Sequence, residues 1–170
     1  LTLTTNIPPI PGKRFLSESK YMQIPLETAA HIPYQKSGYE TLFVYGGKLG
    51  WRDIGKYMRY QKYDQIIGEN KIKESLKLAS ESKVGTEWGV YDEHFFDYIY
   101  SQIKSSTVPK MILGLSTSNH PPFDIPDDFK GEEMTLPEAL KNKISREEDL
   151  FMKRLRAFQY ANFKLSEFIS

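Results

Sequence analysis

Residues 40–47 read Glu-Thr-Leu-Phe-Val-Tyr-Gly-Gly, a short β-branched and aromatic run that stops at two glycines. Such a run is typical of a buried strand that enters a tight loop. Because glycine has no side chain, a ligand could approach the backbone at Gly46 and Gly47. Further along the chain, Lys110 to Leu115 predicts another buried strand. That strand leads directly into the polar loop 116–122, Ser-Thr-Ser-Asn-His-Pro-Pro, which is the most suggestive feature of the sequence.

Segments with helical spacing alternate with these strands. Ile32 to Ser37 predicts a short helix, with Pro33 in its first turn and Gly38 just past its end. The alternation favours an α/β fold with a sheet of mostly parallel strands, in which ligands bind beyond the carboxyl ends of the strands. The other predicted elements are a helix over Trp51 to Tyr60, a short strand over Tyr63 to Ile67, and a helix that Asp92 caps.

The remaining stretches are predicted to be irregular, except for the last one. The irregular stretches are the Thr- and Pro-rich Leu1 to Lys13, the polar linker Glu69 to Gly85, and the acidic Asp124 to Asn142. The chain then ends in a long amphipathic helix that starts with Ser145 and Glu148, a Ser-x-x-Glu capping box. Its predicted apolar stripe comprises Phe151, Leu155, Phe158, Leu165 and Phe168.

The composition is that of one globular domain and excludes several functions. The chain has 170 residues, of which 39% are hydrophobic and 14% aromatic, so it can bury a core. Lys and Arg number 23 against 22 Asp and Glu, and this balance disfavours nucleic-acid binding. The absence of cysteine excludes disulfides, thiolate metal sites and a cysteine nucleophile. No run of residues is apolar for long enough to span a bilayer.

Five segments, in order, resemble the phosphoglycerol transferases and lipoteichoic acid synthases of the alkaline phosphatase and sulfatase superfamily. The resemblance extends over nearly the whole chain, and the order and spacing of the segments make it more specific than any one motif. The segments are residues 3–12, residues 38–47, Trp88-Gly89-Val90-Tyr91-Asp92-Glu93, residues 116–123 and Tyr160-Ala161-Asn162.

The resemblance implies a metal-dependent enzyme of the cell envelope, of which residues 1–170 form the central part of the catalytic domain. Its fold would be an alkaline phosphatase-like three-layer sandwich with a mostly parallel central sheet. A threonine nucleophile would take phosphoglycerol from a phosphatidylglycerol-type lipid and pass it to an envelope glycan or polymer. The intact protein would be membrane-bound, with this part in the periplasm or outside the cell.

The resemblance also implies that the catalytic groups lie outside these 170 residues. The nucleophile would precede residues 1–12, and an Asp-His-Gly motif that binds a divalent metal, usually manganese, would follow residues 160–168. Thr2, Thr4 and Thr5 would lie beyond the nucleophile position. We therefore expect no catalytic residue and no metal ligand in this chain, and no activity from the chain alone.

Four residues are candidates for substrate binding by the same resemblance: Lys48, Trp51, Arg52 and His120. A histidine can donate to a phosphate, arginine can bind phosphate with two hydrogen bonds, and tryptophan can supply an apolar wall. Read without the resemblance, His120 only braces a turn, Trp51 belongs to the core, and the two cations are solvated. Many relatives have Asp where Lys48 stands and Phe near Trp51, so the headgroup specificity stays open.

Other polar residues have a structural interpretation that is preferred to a functional one. Asp92 with Glu93 could pass for an acid and base pair, but helix capping by Asp92 is the preferred interpretation. His31 and His94 lack the spacing of a metal site and are expected to be structural.

The alternatives to a phosphoglycerol transferase are a sulfatase, a phosphoethanolamine transferase, or a glycan- or headgroup-binding module without catalysis. The expected partners are a phospholipid headgroup, an envelope glycan or polymer, the remainder of the parent chain, and a second copy of this chain.

Overall fold

The computed structural model describes residues 11–12, 14–78, 83–144 and 147–170. Within these ranges the chain forms five strands and six α-helices. The strands are β1 (Glu40–Tyr45), β2 (Gln65–Ile67), β3 (Gly85–Thr86), β4 (Gly89–Val90) and β5 (Lys110–Leu115). The helices are α1 (Ile32–Lys36), α2 (Ile54–Tyr60), α3 (Glu69–Ser75), α4 (Asp92–Lys104), α5 (Glu138–Ile144) and α6 (Glu148–Ile169). Leu16–Glu18 and Trp51–Asp53 form 3₁₀ turns.

The main sheet has the strand order β2-β1-β5, and its three described strands run parallel. The central strand β1 pairs with β2 from Leu42 to Val44 and with β5 along its whole length. Parallel strands need crossover connections, and helices lie between β1, β2 and β5 in the chain. The predicted α/β class, the mostly parallel sheet and the bounds of β1 and β5 are therefore confirmed. The prediction that β5 is buried is wrong, because β5 is an edge of the sheet among the described residues and none of its residues is buried.

Side chains of β1 divide the core into two clusters, because successive side chains of a strand point to opposite faces. Leu42 and Val44 pack on one face, against apolar residues of β2, α3, β4 and α4. Phe43 and Tyr45 pack on the other face, mainly against α2. The first cluster comprises Leu42, Val44, Ile67, Ile72, Val90, Phe95, Tyr98 and Ile99, and the second comprises Phe43, Tyr45, Ile54, Tyr57, Met58 and Tyr63.

Two predicted boundaries in the middle of the chain are wrong. The segment 69–85, predicted to be a linker, begins with α3, because Ile72 is fully buried and anchors an otherwise polar helix to the first cluster. The single helix predicted over Trp51 to Tyr60 is interrupted. Arg52 and Asp53 have φ angles of 47° and 54°, so the chain turns before α2 begins at Ile54.

The predicted cap and apolar stripe are also corrected. Tyr91, and not Asp92, is the N-cap of α4, and Asp92 is a buried first helical residue without a side-chain cap bond. On α6, the predicted stripe residues Phe158 and Leu165 are 58% and 41% exposed, whereas Ala157 and Tyr160 are buried. The small Ala157 and the long Tyr160 form the face that packs near α4, where the Glu93 N–H donates to the Tyr160 hydroxyl at 3.3 Å.

One stretch that was predicted to be irregular contains part of a helix, and other predictions concern residues that the structure does not describe. The acidic stretch 124–142, predicted to be irregular, includes the start of α5. Residues 1–10 and 13, and Ser145 of the predicted capping box, lie outside the described residues. No helix within the described ranges is both long enough and apolar enough to cross a membrane.

His31 is a fully buried residue near the amino end of the sheet. Its Nε2–H donates to the carbonyl oxygen of Gln61 at 2.7 Å, and its ring stacks on Tyr63 with 4.0 Å between centroids. Burial lowers the pKa of His31, although the hydrogen bond to Gln61 and the nearby Asp64 oppose this effect. His31 is therefore a neutral core residue near pH 7.

The buried His31 should make the protein less stable in mild acid. Its pKa in the folded state lies below the ordinary value of 6.5, so below pH 6.5 the unfolded chain binds a proton that the folded chain does not. The free energy of unfolding consequently falls as the pH drops below 6.5. We expect His31→Gln to flatten the dependence of the melting temperature on pH between about 5 and 8, the range in which histidine titrates. His94→Gln is the control, and equal slopes for His31→Gln and the unchanged protein would contradict this assignment.

The strand β5 is an edge of the main sheet among the described residues, and an apolar groove borders it. An edge strand presents unpaired backbone N–H and C=O groups, and exposed apolar surface beside it favours association. The groove has a volume of about 460 Å³ and its apolar lining is formed by Phe95, Phe96, Ile99, Ile103, Ile112 and Phe168.

The 170-residue chain by itself should associate through this edge at high concentration. Light scattering should show a mass that rises with concentration, and Ile103→Lys in the groove should lower it by introducing a charge. Leu150→Lys is a matched control, because Ile103 and Leu150 are similarly exposed, at 51% and 49%, and Leu150 lies at the start of α6. A monomeric mass at every concentration would show that the edge does not associate.

Candidate functional site

A small cavity opens at the carboxyl ends of β1 and β5. Tyr45 and Leu115 are paired final residues of these strands, and both line the cavity. Trp51 and His120, which the sequence predicts as substrate-binding residues, lie together in its wall. The cavity has a volume of about 210 Å³ and is lined by Tyr45, Trp51, Trp88, Leu115, Ser116, Thr117, Asn119 and His120.

Backbone contacts among three glycines hold the loops around this cavity together. The Gly46 N–H donates to the Leu115 carbonyl, and the Val90 N–H donates to the Gly46 carbonyl, each at 2.9 Å. Gly47 also forms a β-bridge with Gly89, which has a φ of 155°. A Cβ atom at Gly89 would lie only 2.1 Å from the Gly46 carbonyl oxygen, so only glycine permits this approach.

Buried hydroxyl groups fix the loop that carries His120. The Thr117 hydroxyl donates to the Val90 carbonyl at 3.3 Å, and the Asp92 N–H donates to the Ser118 hydroxyl oxygen at 3.0 Å. The His120 N–H then donates to the Thr117 carbonyl at 3.2 Å and closes a turn. The position of His120 therefore depends on the two buried residues Thr117 and Ser118.

Within the described residues, only one nitrogen of the His120 ring has a hydrogen-bond partner. Its Nδ1 lies 2.8 Å from the Pro121 carbonyl oxygen, and since a carbonyl only accepts, Nδ1 carries a proton. The other nitrogen, Nε2, accepts a hydrogen bond in the neutral ring and donates one when the ring is charged. An exposed imidazole of this kind can bind a hydroxyl in its neutral form and a phosphate oxygen in its charged form.

Trp88 is a site residue that the sequence analysis did not identify. Its ring lies against the His120 ring, with 3.9 Å between centroids and 37° between planes. Its indole Nε1 is buried and has no hydrogen-bond partner among the described residues. The only signal in the sequence was the position of Trp88 in the motif 88–93, which served as evidence of resemblance and not of a site.

Tyr45 and Trp51 form the opposite aromatic part of the wall, with 6.4 Å between ring centroids. Burial, and then the Glu69 carboxylate, raise the pKa of Tyr45, so its hydroxyl stays protonated near neutral pH. Trp51 is 40% exposed, which excludes the alternative interpretation of Trp51 as a core residue. The cavity therefore combines aromatic surface with hydroxyl, amide and imidazole groups.

Lys48 and Arg52 do not line this cavity. Lys48 borders a different groove, together with Gly50, Gly68 and α3 residues. The Arg52 guanidinium pairs with Glu18 at 3.2 Å and lies 4.4 Å from the centroid of the Phe15 ring. The guanidinium also lies 5.2 Å from the centroid of the Trp51 ring, so Arg52 contacts a residue of the cavity wall without lining the cavity itself.

The described residues do not fit a metal site. None of their His, Cys, Asp and Glu side chains form a group of three or more that could hold a metal ion.

The chain matches one protein-family profile and is similar to known structures. The family profile described as "Sulfatase" matches residues 33–170. A protein of the alkaline phosphatase superfamily from Vibrio parahaemolyticus has a similar structure, with a TM-score of 0.69 and 22% identity over 99% of this chain and 36% of that chain. The lipoteichoic acid synthase LtaP from Listeria monocytogenes matches with a TM-score of 0.71 and 21% identity, over 99% of this chain and 37% of that one. The chain thus spans little more than a third of the length of these two proteins.

Replacing Gly89 should disturb the site and destabilise the fold. In Gly89→Ala the new methyl group would collide with the Gly46 backbone, so we expect a loss of at least about 2 kcal/mol in the free energy of unfolding. Gly50→Ala is the matched control, because a Cβ atom at Gly50 meets nothing within 4 Å. Chemical denaturation of both variants measures the difference, and equal stability would show that the loops do not approach so closely.

Proposed function

The chain belongs to the sulfatase family, and we propose that it forms the substrate-binding wall of an enzyme that acts on a phosphoglycerol headgroup. In the intact protein, this enzyme would move phosphoglycerol from a phosphatidylglycerol-type lipid to an envelope glycan or polymer. We place residues 1–170 in the central part of the catalytic domain, with the threonine nucleophile contributed by the remainder of the parent chain. The lipid donor and the envelope acceptor imply a membrane-bound protein with this domain outside the cytoplasm.

The convergence of Trp51, Trp88 and His120 on one cavity is the observation that carries this proposal. A phosphoglycerol group joins an anionic phosphate to a short chain of CH and OH groups. Aromatic rings suit the CH groups, while the hydroxyl of Ser116, the amide of Asn119 and the imidazole of His120 suit the polar atoms. The cavity volume of about 210 Å³ lies below the roughly 300–1,000 Å³ of sites for drug-sized ligands, so it favours a headgroup over an acyl chain.

The proposed reaction has two displacements at phosphorus. The threonine hydroxyl gives up its proton as its oxygen attacks phosphorus, the bond from phosphorus to the diacylglycerol oxygen breaks, and that oxygen takes up a proton. A hydroxyl of the acceptor then gives up its proton and attacks phosphorus, the bond from phosphorus to the threonine oxygen breaks, and the threonine regains a proton. In both steps this chain would hold the glycerol against the aromatic wall, so that attacking and leaving oxygens stay in line. His120, when charged, would donate to a phosphate oxygen.

A divalent metal, by resemblance manganese, would activate the nucleophile and neutralise phosphate charge in the intact enzyme. By the same resemblance, its ligands are also placed in the remainder of the parent chain. The role proposed for residues 1–170 is independent of the metal's identity.

Replacing His120 should weaken the activity of the intact protein. With manganese and a chromogenic phosphodiester of glycerol, we expect His120→Ala to lower kcat/KM about tenfold to a hundredfold, since it removes a charged hydrogen bond to phosphate. His94→Ala should leave turnover unchanged, because His94 lies on α4 outside the cavity.

The outcomes also separate the competing functions. Faster turnover of a sulfate ester or a phosphoethanolamine ester would favour a sulfatase or a phosphoethanolamine transferase. Binding of the headgroup without turnover at any metal would contradict the enzyme and favour a binding module.

A further inference from the structure

A buried carboxyl group lies directly behind the candidate site. Asp92, the first residue of α4, is only 1% exposed. It neither caps its helix through its side chain nor forms an ion pair with any of the described residues. Its Oδ1 has no hydrogen-bond partner within those residues. A buried carboxyl is costly, so its remaining contacts indicate what it does.

These contacts all go to the loop that carries His120. Burial raises the pKa of the Asp92 carboxyl, and the nearby hydroxyls of Ser118 and Ser116 oppose this effect, so both serines lie beside the carboxyl. The Asp92 N–H donates to the Ser118 hydroxyl oxygen at 3.0 Å. Ser118 is itself 2% exposed, whereas Ser116 lines the cavity. Asp92 therefore contacts the loop at its buried anchor, Ser118, and lies beside Ser116 at the edge of the cavity.

Two chain segments lie side by side here, with three lateral contacts. Asp92 contacts Ser118 at one end, and the Thr117 hydroxyl donates to the Val90 carbonyl in the middle. At the other end, Trp88 lies against His120. A shift of Ser118 relative to Asp92 would therefore change how His120 meets Trp88.

We propose that Asp92 is a positioning residue for His120. Through the hydroxyls of Ser116 and Ser118, its carboxyl sets the loop 116–120 so that the imidazole stacks on Trp88 at the cavity. The effect of this positioning on substrate binding rests on the proposed function. The stacking of His120 on Trp88 does not depend on that function. It also accounts for an aspartate that neither caps α4 nor reaches the cavity.

The test measures the stack directly in the intact protein. The emission of Trp88 is obtained by subtracting the spectrum of the same protein carrying Trp88→Phe, and it is followed between about pH 5 and 8, where histidine side chains change charge. A charged imidazole quenches a stacked indole, so the emission should depend on pH, and His120→Ala should remove that dependence. We expect Asp92→Ala to remove it as well, and Asp92→Asn to reduce it. Asp97→Ala, an exposed aspartate on the same helix, should leave it intact.

A second measurement connects the position of His120 to the substrate. With the phosphodiester of glycerol, Asp92→Ala should raise KM about tenfold or more with a smaller effect on kcat, as expected when a binding group is displaced. If Asp92→Ala removes the pH dependence of Trp88 but KM does not change, Asp92 positions His120 and the proposed role of His120 in substrate binding falls.

The inference is overturned if Asp92→Ala melts cooperatively and keeps the pH-dependent emission of Trp88. Such a result would reduce Asp92 to a structural residue of α4. If Asp92→Ala does not fold, Ser118→Ala replaces it, because this change removes one hydroxyl between Asp92 and the loop. Retention of the pH-dependent emission in folded Ser118→Ala would then overturn the inference in the same way.

Discussion

The structure depends on one strand, β1, that is hydrogen-bonded along both edges and covered on both faces. Its residues Thr41 to Tyr45 are all buried, at no more than 5% exposure. Such a strand can contact polar groups or a ligand only at its two ends, and the surroundings of these ends differ. At the amino end, the Asp64 carboxylate accepts hydrogen bonds from the Thr41 N–H at 2.8 Å and from its hydroxyl at 2.7 Å. That end is closed, and the carboxyl end is where the loops and the cavity lie.

At the open end, small residues and large aromatic residues have complementary roles. Gly46, Gly47 and Gly89 let three backbone segments approach closely, and this approach brings Trp88 next to the loop of His120. Proteins that share this fold with a sequence identity of 21–22% need not share a substrate, because the residues around the cavity decide what binds. A phosphoglycerol ligand is therefore proposed from the chemistry of this wall and from the motifs that supply it.

Local sequence patterns predicted the strands well and the site only in part. β1 and β5 were identified with correct bounds, because each is a short, mostly apolar run followed by glycines or polar residues. α3 was missed, because Ile72 is its single fully buried apolar residue. Arg52 and Trp51 were both candidates by resemblance, but only Trp51 lines the cavity, because the Arg52 guanidinium pairs with Glu18 and lies over the Phe15 and Trp51 rings. Trp88 and Asp92 act through the loop 116–120, and no local pattern encodes a contact between segments so far apart in the chain.

The way in which the cavity is assembled links ligand binding to folding. Its lining residues come from three stretches, near residues 45–51, at 88 and at 115–120. These stretches meet only after β1 and β5 have paired in parallel, across a connection of more than 60 residues. Closing such long loops is entropically costly and makes parallel pairing slow, so the cavity should appear only late in folding. A ligand of this cavity would therefore recognise the finished domain alone, and a core substitution remote from it would lower apparent affinity by depleting the folded population.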